Sequence, residues 1–597
     1  MKVAIYLMIG VASLATVSCD DFLDRAPLTE ITEEGFFNNA NDLETYTNGF
    51  YSYVNAPYND AGTDNVYYAA DNTTDQVMSG LVSSQNIGGW DDWDQLRTIN
   101  FFLDHAKKVA NVSPEERDHY IGIARYFRAQ FYLDKVKSYS DVPWYGTAMS
   151  VDDSLLYKKA DARAVVMDSV LNDIQFAADH IKEGLGTRTR ISRWAALASM
   201  ARICLYEGTY RKYHSELNLG NDYKRFLEKA VEACQTIMKS GNFSIYGKNG
   251  DDYAALFCSP SLNDNPEIIL QVASDKTLGV GNNTHSVLDW QWALSRSLME
   301  TYLTKEGKPF TSVSGYDKKT FNEVFEDRDP RLKATFAYPG FKKNPTDTEG
   351  FLAKLTYGGY DQLKFFPLDP DLRLGWGMDY TSLPVYRYAE VLLNYAEARA
   401  ELGQLTQEDI DNTINLLRDR VQLPHLDMAQ ANANPDPVLE KQYPNVSGAN
   451  KGVILEIRRE RRVEMACEGL RWSDIQRWCV GDLYAEKNEG VYFPKLGAYD
   501  FNADGKYDVT ILKSEADTAR IADIPEADRQ KLTIYYLKKK DGSDDGFYLT
   551  NGESGHVAFT SQQKLPRSFK APQYYYRPIP AHQIELNHNL KQPFGWQ

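Results

Sequence analysis

Apolar residues three to five apart recur through much of this chain, and that spacing constrains the fold more than any single motif does. In ERDHYIGIARYFRAQFYLDKVKSYSDVPWYG, residues Tyr120, Ile123, Ala124, Phe127, Phe131 and Val136 fall on one helical face, and Pro143 closes the pattern. Further helices are predicted at about 161–182, 191–213, 221–240, 384–402, 407–420 and 452–479, mostly in pairs. In PVYRYAEVLLNYAEARAELGQ, Pro384 suits a first helical turn and Gly403 a C-cap, while Val385, Tyr388, Ala389, Leu392 and Ala396 form the inner stripe. Alanines there let a neighbouring helix come close. Such pairs look like tetratricopeptide units, although no strict repeat of roughly 34 residues survives. The expected fold is mostly α, with tetratricopeptide-like helix pairs as a scaffold over about 28–240 and 384–479. Long irregular insertions with minor β are expected over about 242–383 and 480–597, where short apolar runs alternate with Gly, Pro and Asn. Loops carried on such a frame are where a ligand site belongs.

The most charged helical stretch, ILEIRRERRVEMACEGLRWSDIQRW, spans residues 454–478. Its six arginines face five acids, Glu456, Glu460, Glu464, Glu468 and Asp474, a balance that no nucleic-acid helix would keep. The four glutamates share one stripe and would repel one another without nearby arginines. Arg459, Arg461 and Arg471 each stand three residues from one of them, so a structural ion-pair network is favoured over an acid–base pair. The whole chain carries 66 basic and 83 acidic residues, a net charge of −17, which argues against phosphate-backbone binding.

The first residues, MKVAIYLMIGVASLATVSCDDFL, run from one lysine through an apolar stretch, Val3 to Val17, to Ser18 and Cys19. Residues 1–18 are read as a secretory signal, because the apolar stretch is shorter than the roughly 20 residues of a membrane helix. Cys19 after a small residue resembles the lipobox of bacterial lipoproteins, with Thr16 where leucine is usual. Residues 19–27 would then be a lipidated leader, with residues 28–597 a single domain held to its membrane through lipid alone. The remaining cysteines, Cys204, Cys234, Cys258, Cys467 and Cys479, show neither disulfide nor metal spacing and are read as buried apolar residues.

Catalytic signatures are absent from the sequence: there is no H-E-x-x-H, no G-x-S-x-G elbow and no phosphate loop. Glycoside hydrolysis would need two carboxylates facing across a cleft, which sequence alone does not nominate. One loop, DFNADGKYDV, places Asp500, Asn502, Asp504, Gly505 and Asp508 at calcium-loop positions, but Ile511 stands where a closing acid belongs. It is read either as a structural calcium site or as an Asx-rich turn. Aromatics outside the helical stripes are the other candidates: Trp90 in NIGGWDDW, and Trp290 with Trp292 in GNNTHSVLDWQWA. Flat rings stack on the apolar faces of sugars while neighbouring polar groups such as Asn283 and His285 bond hydroxyls. Ligand platform and ordinary packing both remain open for these tryptophans, whereas Trp93 reads as core.

Taken together, several segments resemble the SusD-like (SusD/RagB) outer-membrane lipoproteins of Gram-negative bacteria. They are SCDDFLDRAPLTEIT, DLETYTNGFYSYV, ARYFRAQFYLDKVKSYSDVPWY, YRYAEVLLNYAEARAELG and EIRRERRVEMACEGLRWSDIQRW. The ending YYYRPIPAHQIELNHNLKQPFGW is similar to the family's closure, with Gln592-Pro593-Phe594-Gly595-Trp596 in place of Gln-Asn-Pro-Gly-Trp. The resemblance implies a helical fold, no catalysis, no required cofactor, and a SusC-like TonB-dependent barrel as partner. It implies glycan capture, or peptide capture in some branches; a surface glycoside hydrolase is the alternative from another class. It also places Asp75, in DNTTDQV, where the family keeps an acid near its sugar site.

Overall fold

The computed structural model describes residues 36–68, 73–539, 541–543, 546–564 and 566–596. The expected signal, Cys19 and the leader lie outside the described residues. Nine helices form the frame described below: α1 (Ala40–Asn48), α2 (Trp93–Ala106), α3 (Pro114–Tyr139), α4 (Arg163–His180), α5 (Arg193–Tyr213), α6 (Tyr223–Ser240), α7 (Tyr388–Glu401), α8 (Lys451–Glu464) and α9 (Arg471–Arg477). Their starts follow local chemistry. Ser113 caps α3 by accepting the Glu116 N–H at 3.2 Å, with Pro114 and two acids in the first turn.

Each helix from α2 to α8 packs on the next, α1 lies on α3, and α9 returns onto α5. Small residues make the crossings close: Ala195, Ala196, Ala198 and Ala201 of α5 and Ala389, Ala396 and Ala398 of α7 are all buried. The fold is thus mostly helical, as expected, with small sheets only.

Three of the expected helices depart from their apolar patterns, and one of them, 407–420, is split at Asn412 and Thr413 into Gln407–Asp411 and Ile414–Arg420. Residues Leu383–Arg387 are a strand, and the helix begins only at Tyr388. Pro384 therefore does not open a helical turn; it lies opposite Gln271 in an irregular antiparallel pair. Arg387 stays extended (φ −136°, ψ 156°), and the next N–H, of Tyr388, donates to Glu267 O at 2.7 Å. The stretch 452–479 is also interrupted, at Cys467 (φ 66°). There the buried carboxylate of Asp60 accepts the N–H groups of Cys467 (2.8 Å) and Gly469 (3.0 Å), satisfying backbone that the broken helix leaves open.

The strands are β1 (Val66–Tyr68), β2 (Ile268–Val272), β3 (Trp292–Leu294), β4 (Leu383–Arg387), β5 (Glu489–Phe493), β6 (Gly497–Tyr499), β7 (Val509–Leu512), β8 (Thr533–Tyr536), β9 (Phe547–Leu549) and β10 (Gly555–Phe559). They pair as β1–β3, β2–β4, β5–β10–β9 and β6–β7–β8. The insertions are more than loops, because they fill a second apolar core. Tyr253, Phe257, Tyr302, Phe336, Tyr360, Phe365, Val491, Ile511 and Phe547 pack there, apart from the core of the helical frame.

Between the two cores runs the charged stretch. Glu464 is fully buried and accepts from Arg387 (2.6 Å), Arg331 (2.9 Å) and Arg420. Glu460 pairs with Arg331 (2.6 Å) and Arg418 (3.2 Å), and Glu468 with Arg387 and Lys364, both at 2.7 Å. The run's own arginines pair both inside it, Arg459 with Glu456 (3.4 Å) and Arg461 with Asp474 (2.9 Å), and outside it, Arg471 with Asp64 (2.7 Å) and Arg477 with Glu397 (2.5 Å). The network exists, but its partners are mostly distant in sequence rather than one turn away.

Candidate functional site

Two loops from the second core meet beside the β1–β3 pair. One precedes β3: a short helix, Ser286–Asp289, ends in the extended residue Trp290. From below, the Lys354 ammonium donates to the carbonyls of Leu288 (2.7 Å) and Trp290 (2.8 Å). Trp290 Nε1 donates to Tyr68 Oη at 3.2 Å, and the indole stays 39% exposed.

The other loop is a tight reversal over residues 373–379, closed by Leu374 N–H to Met378 O (3.2 Å) and Met378 N–H to Gly375 O (2.8 Å). Gly375 (φ 121°) and Gly377 (φ 72°) supply left-handed backbone on either side of Trp376, so the indole is thrust out at the tip. Trp376 is 60% exposed and stands almost perpendicular to Trp290, with ring centroids 5.6 Å apart and an interplanar angle of 87°. The two indoles make a right-angled corner.

Close backbone contact locks the loops together. Asn282 and Asp379 exchange backbone hydrogen bonds of 2.9 and 3.2 Å. A Cβ on Gly281 would come within 2.5 Å of Gly377 O, so only glycine permits this approach. Asn283 Oδ1 accepts the Gly377 N–H, leaving its amide NH2 for another acceptor. The fully buried Asp379 carboxylate accepts both the backbone N–H of His285 (2.7 Å) and its Nδ1 (2.6 Å). That bond assigns the proton to Nδ1 and turns Nε2 outward. The His285 ring meets Trp376 edge to face at 5.1 Å.

Of the residues nominated from sequence, Trp290, Asn283 and His285 are thus brought together. Trp292 and Trp90 are not platforms. Trp292 is 8% exposed: it pairs with Tyr68 of β1, and all three residues of β3 are buried. Trp90 is 5% exposed and packs on Trp93 (5.4 Å) and Tyr139 (4.8 Å), its carbonyl taken by Lys135 Nζ at 3.0 Å. Asp75, in a short helix Thr73–Met78, is brought to the C-terminal segment by an ion pair with Arg567. Trp376 and Asp379 escaped the sequence reading; the pattern Gly-Trp-Gly within LRLGWGMD was the signal available.

In the acidic loop, carboxylate oxygens of Asp500, Asp504 and Asp508 lie within 4.8 Å of one another. Gly505 N–H donates to Asp500 (2.8 Å), while Phe501 and Asn502 N–H groups donate to Asp508 (3.0 and 3.1 Å). Burial, and then the neighbouring charges of Asp504 and Asp500, push the Asp508 carboxyl above its ordinary value. Asn502 does not join this group. Its buried Oδ1 is directed at Gly350, where a side chain would collide with it, and Ile511 lies in β7 in the second core.

The profile described as the SusD family matches residues 266–596 of the chain. Among curated proteins, the SusD-like protein P38 of Formosa agariphila is 23% identical over 498 residues, covering 77% of this chain and 88% of that protein. The SusD-like protein P2 of the same organism is 23% identical over 513 residues, with 79% and 89% covered. Among solved structures, a SusD-like protein of Bacteroides fragilis superposes with a TM-score of 0.67 at 20% identity, covering 96% of this chain and all (100%) of that one. A SusD-like carbohydrate binding protein of the same species gives 0.65 at 20% identity, with 93% and 100% covered. At such identities the structural likeness is one of fold.

Proposed function

The chain belongs to the SusD family, and from that membership and the Trp290–Trp376 corner we propose that it captures a glycan at the cell surface without catalysing any reaction on it. The captured glycan would pass to a SusC-like TonB-dependent barrel in the outer membrane. Among the described residues no helix is long and apolar enough to cross a membrane. The proposed attachment is a lipid on Cys19 that leaves the protein facing outward.

The observation that carries the reading is the right-angled indole pair, exposed yet fixed from behind. A sugar ring offers apolar C–H faces and a rim of hydroxyls. One indole serves as floor for such a face and the other as side wall, while the Asn283 amide and His285 Nε2 meet the hydroxyls. Carboxylates beside the corner are already committed, Asp379 to His285 at 2.6 Å and Asp289 to Lys343 at 2.5 Å. That supports binding rather than acid–base hydrolysis. We also propose a structural calcium between Asp500, Asp504 and Asp508, with the Lys506 carbonyl as a further oxygen ligand.

Calorimetric titration of the mature protein against a panel of polysaccharides and of peptides tests this. Binding to at least one glycan, with no new reducing ends, is expected. Binding to peptides with every glycan silent would replace the reading with peptide capture, and release of reducing ends would overturn the non-catalytic claim.

A further inference from the structure

A cavity of about 490 Å³ lies away from the indole corner, where α3 and α9 meet the C-terminal segment. It adjoins a second cavity of about 290 Å³, and both are lined by Asp134, Lys137, Gly469 and Ser473. Asp134 and Lys137 are one turn apart on α3 and share a face. Both contribute to the lining of the two cavities, Asp134 as an exposed residue and Lys137 as a half-buried one, while Leu133, Lys135 and Val136 beside them are buried.

Two walls of the larger cavity are aromatic. Trp472 and Tyr484 stand with ring centroids 4.9 Å apart, and Tyr574 and Trp596 at 5.8 Å. Trp596 is fixed by its Nε1, which donates to the carbonyls of Gln573 (3.0 Å) and Tyr576 (3.1 Å), so the ring face is what it offers. Arg577 enters from the C-terminal segment, whose backbone is tied to α3 by Arg577 N–H to Ser138 O at 2.7 Å.

The charges here differ from those of the interior. Arg331, Arg387, Arg461, Arg471 and Arg477 each hold a carboxylate within 3.0 Å. Among the described residues, neither Lys137 nor Arg577 has a carboxylate within 4.0 Å. Lys137 instead lies 5.0 Å over the Tyr206 ring. Lys137 shares its face of α3 with Asp134, and Arg577 is exposed; both cations line the larger cavity, where an anion that enters with the rest of its ligand can meet them. Flat walls and the hydroxyl of Ser473 suit a polyhydroxylated ring attached to that anion.

We propose that this cavity is a second ligand site, separate from the indole corner, that takes a carboxylated sugar of the uronic-acid type. The ring lies against the aromatic walls, the carboxylate is drawn to Lys137 and Arg577, and Asp134 and Ser473 bond ring hydroxyls. The volume lies within the range of small-molecule sites, roughly 300–1,000 Å³.

The test is calorimetric titration of the mature protein with glucuronate and, as neutral control, glucose. Lys137→Met and Arg577→Gln are each expected to weaken glucuronate binding at least about tenfold, and the Trp290→Ala/Trp376→Ala double variant to leave it unchanged. Arg577 is exposed, so if Lys137→Met fails to fold, Arg577→Gln alone decides. The proposal is overturned if the wild-type protein does not bind glucuronate, if glucose binds as well as glucuronate, if Arg577→Gln binds like wild type, or if loss of the indoles abolishes the signal.

Discussion

Glu464 shows what a single side chain can hold in place here. Three guanidinium groups, of Arg331, Arg387 and Arg420, converge on it, and they keep its carboxyl well below its ordinary value of 4.5 despite complete burial. Glu464→Ala is expected to destabilise the protein by about 3–5 kcal/mol, measured by urea unfolding, because buried cations are left without their partner. Glycan affinity of the folded fraction should not change. The sign with pH follows from the lowered value: stability from Glu464 is complete above the ordinary glutamate range and is lost as pH falls through the folded pKa. Asp508 has the opposite sign. Its raised value means that stability is present below the ordinary aspartate range and is lost as pH rises through the folded pKa, unless a cation offsets the repulsion. Calcium at neutral pH should therefore raise the melting temperature of the wild-type protein and do little for Asp504→Asn. Equal melting temperatures with calcium and with a chelator would remove the calcium site.

Elements were legible where one periodicity ruled. Burial on α3 is wider than the single face its pattern marked, with Ile121, Tyr126, Ala129 and Tyr132 buried as well, whereas α4 (Arg163–His180), α5 and α6 begin and end within about two residues of where their apolar spacing placed them. Residues 384–387 misled because Val385 and Tyr388 fit a helical stripe equally well, while the requirement to bring Arg387 against Glu267, Glu464 and Glu468 is long-range and leaves no local trace. The same holds for the charged run. Its near neutrality announced ion pairing, yet its partners, Asp64 and Arg331 among them, are set by tertiary structure. At the site, Trp290 stood out as an aromatic beyond any helical stripe, but period alone could not separate it from Trp292, which lies in the wholly buried strand β3. Trp376 sat between glycines in a stretch with no period at all. The loop pair offers its own test: Gly281→Ala places a methyl against Gly377 O and should open the contact. Hydrogen exchange is expected to quicken at Asn282 and Asp379, and glycan affinity to fall about threefold or more, with the global unfolding transition little changed. Unchanged exchange at both amides would mean that the approach of the loops does not depend on this glycine.

For the molecule as a whole, two apolar cores meet across α8 and the charged run, and each has its own task. The helical frame supplies a stiff surface of successive packed helices. The second core, which composition had suggested to be irregular loops, is a packed body that projects Trp290 and Trp376 on short, cross-braced turns. On the proposed reading, rigid support of this kind would let a small aromatic corner bind a flexible glycan with little loss of its own conformational freedom. The measurement that bears most directly on this account is calorimetric titration of the mature protein, beside Trp290→Ala/Trp376→Ala, with a polysaccharide that the wild type binds. With each stack contributing about 0.5–1.5 kcal/mol, the double variant should bind roughly 5- to 150-fold more weakly at an unchanged melting temperature. An affinity equal to that of the wild type would contradict the assignment of the indole corner as the glycan site.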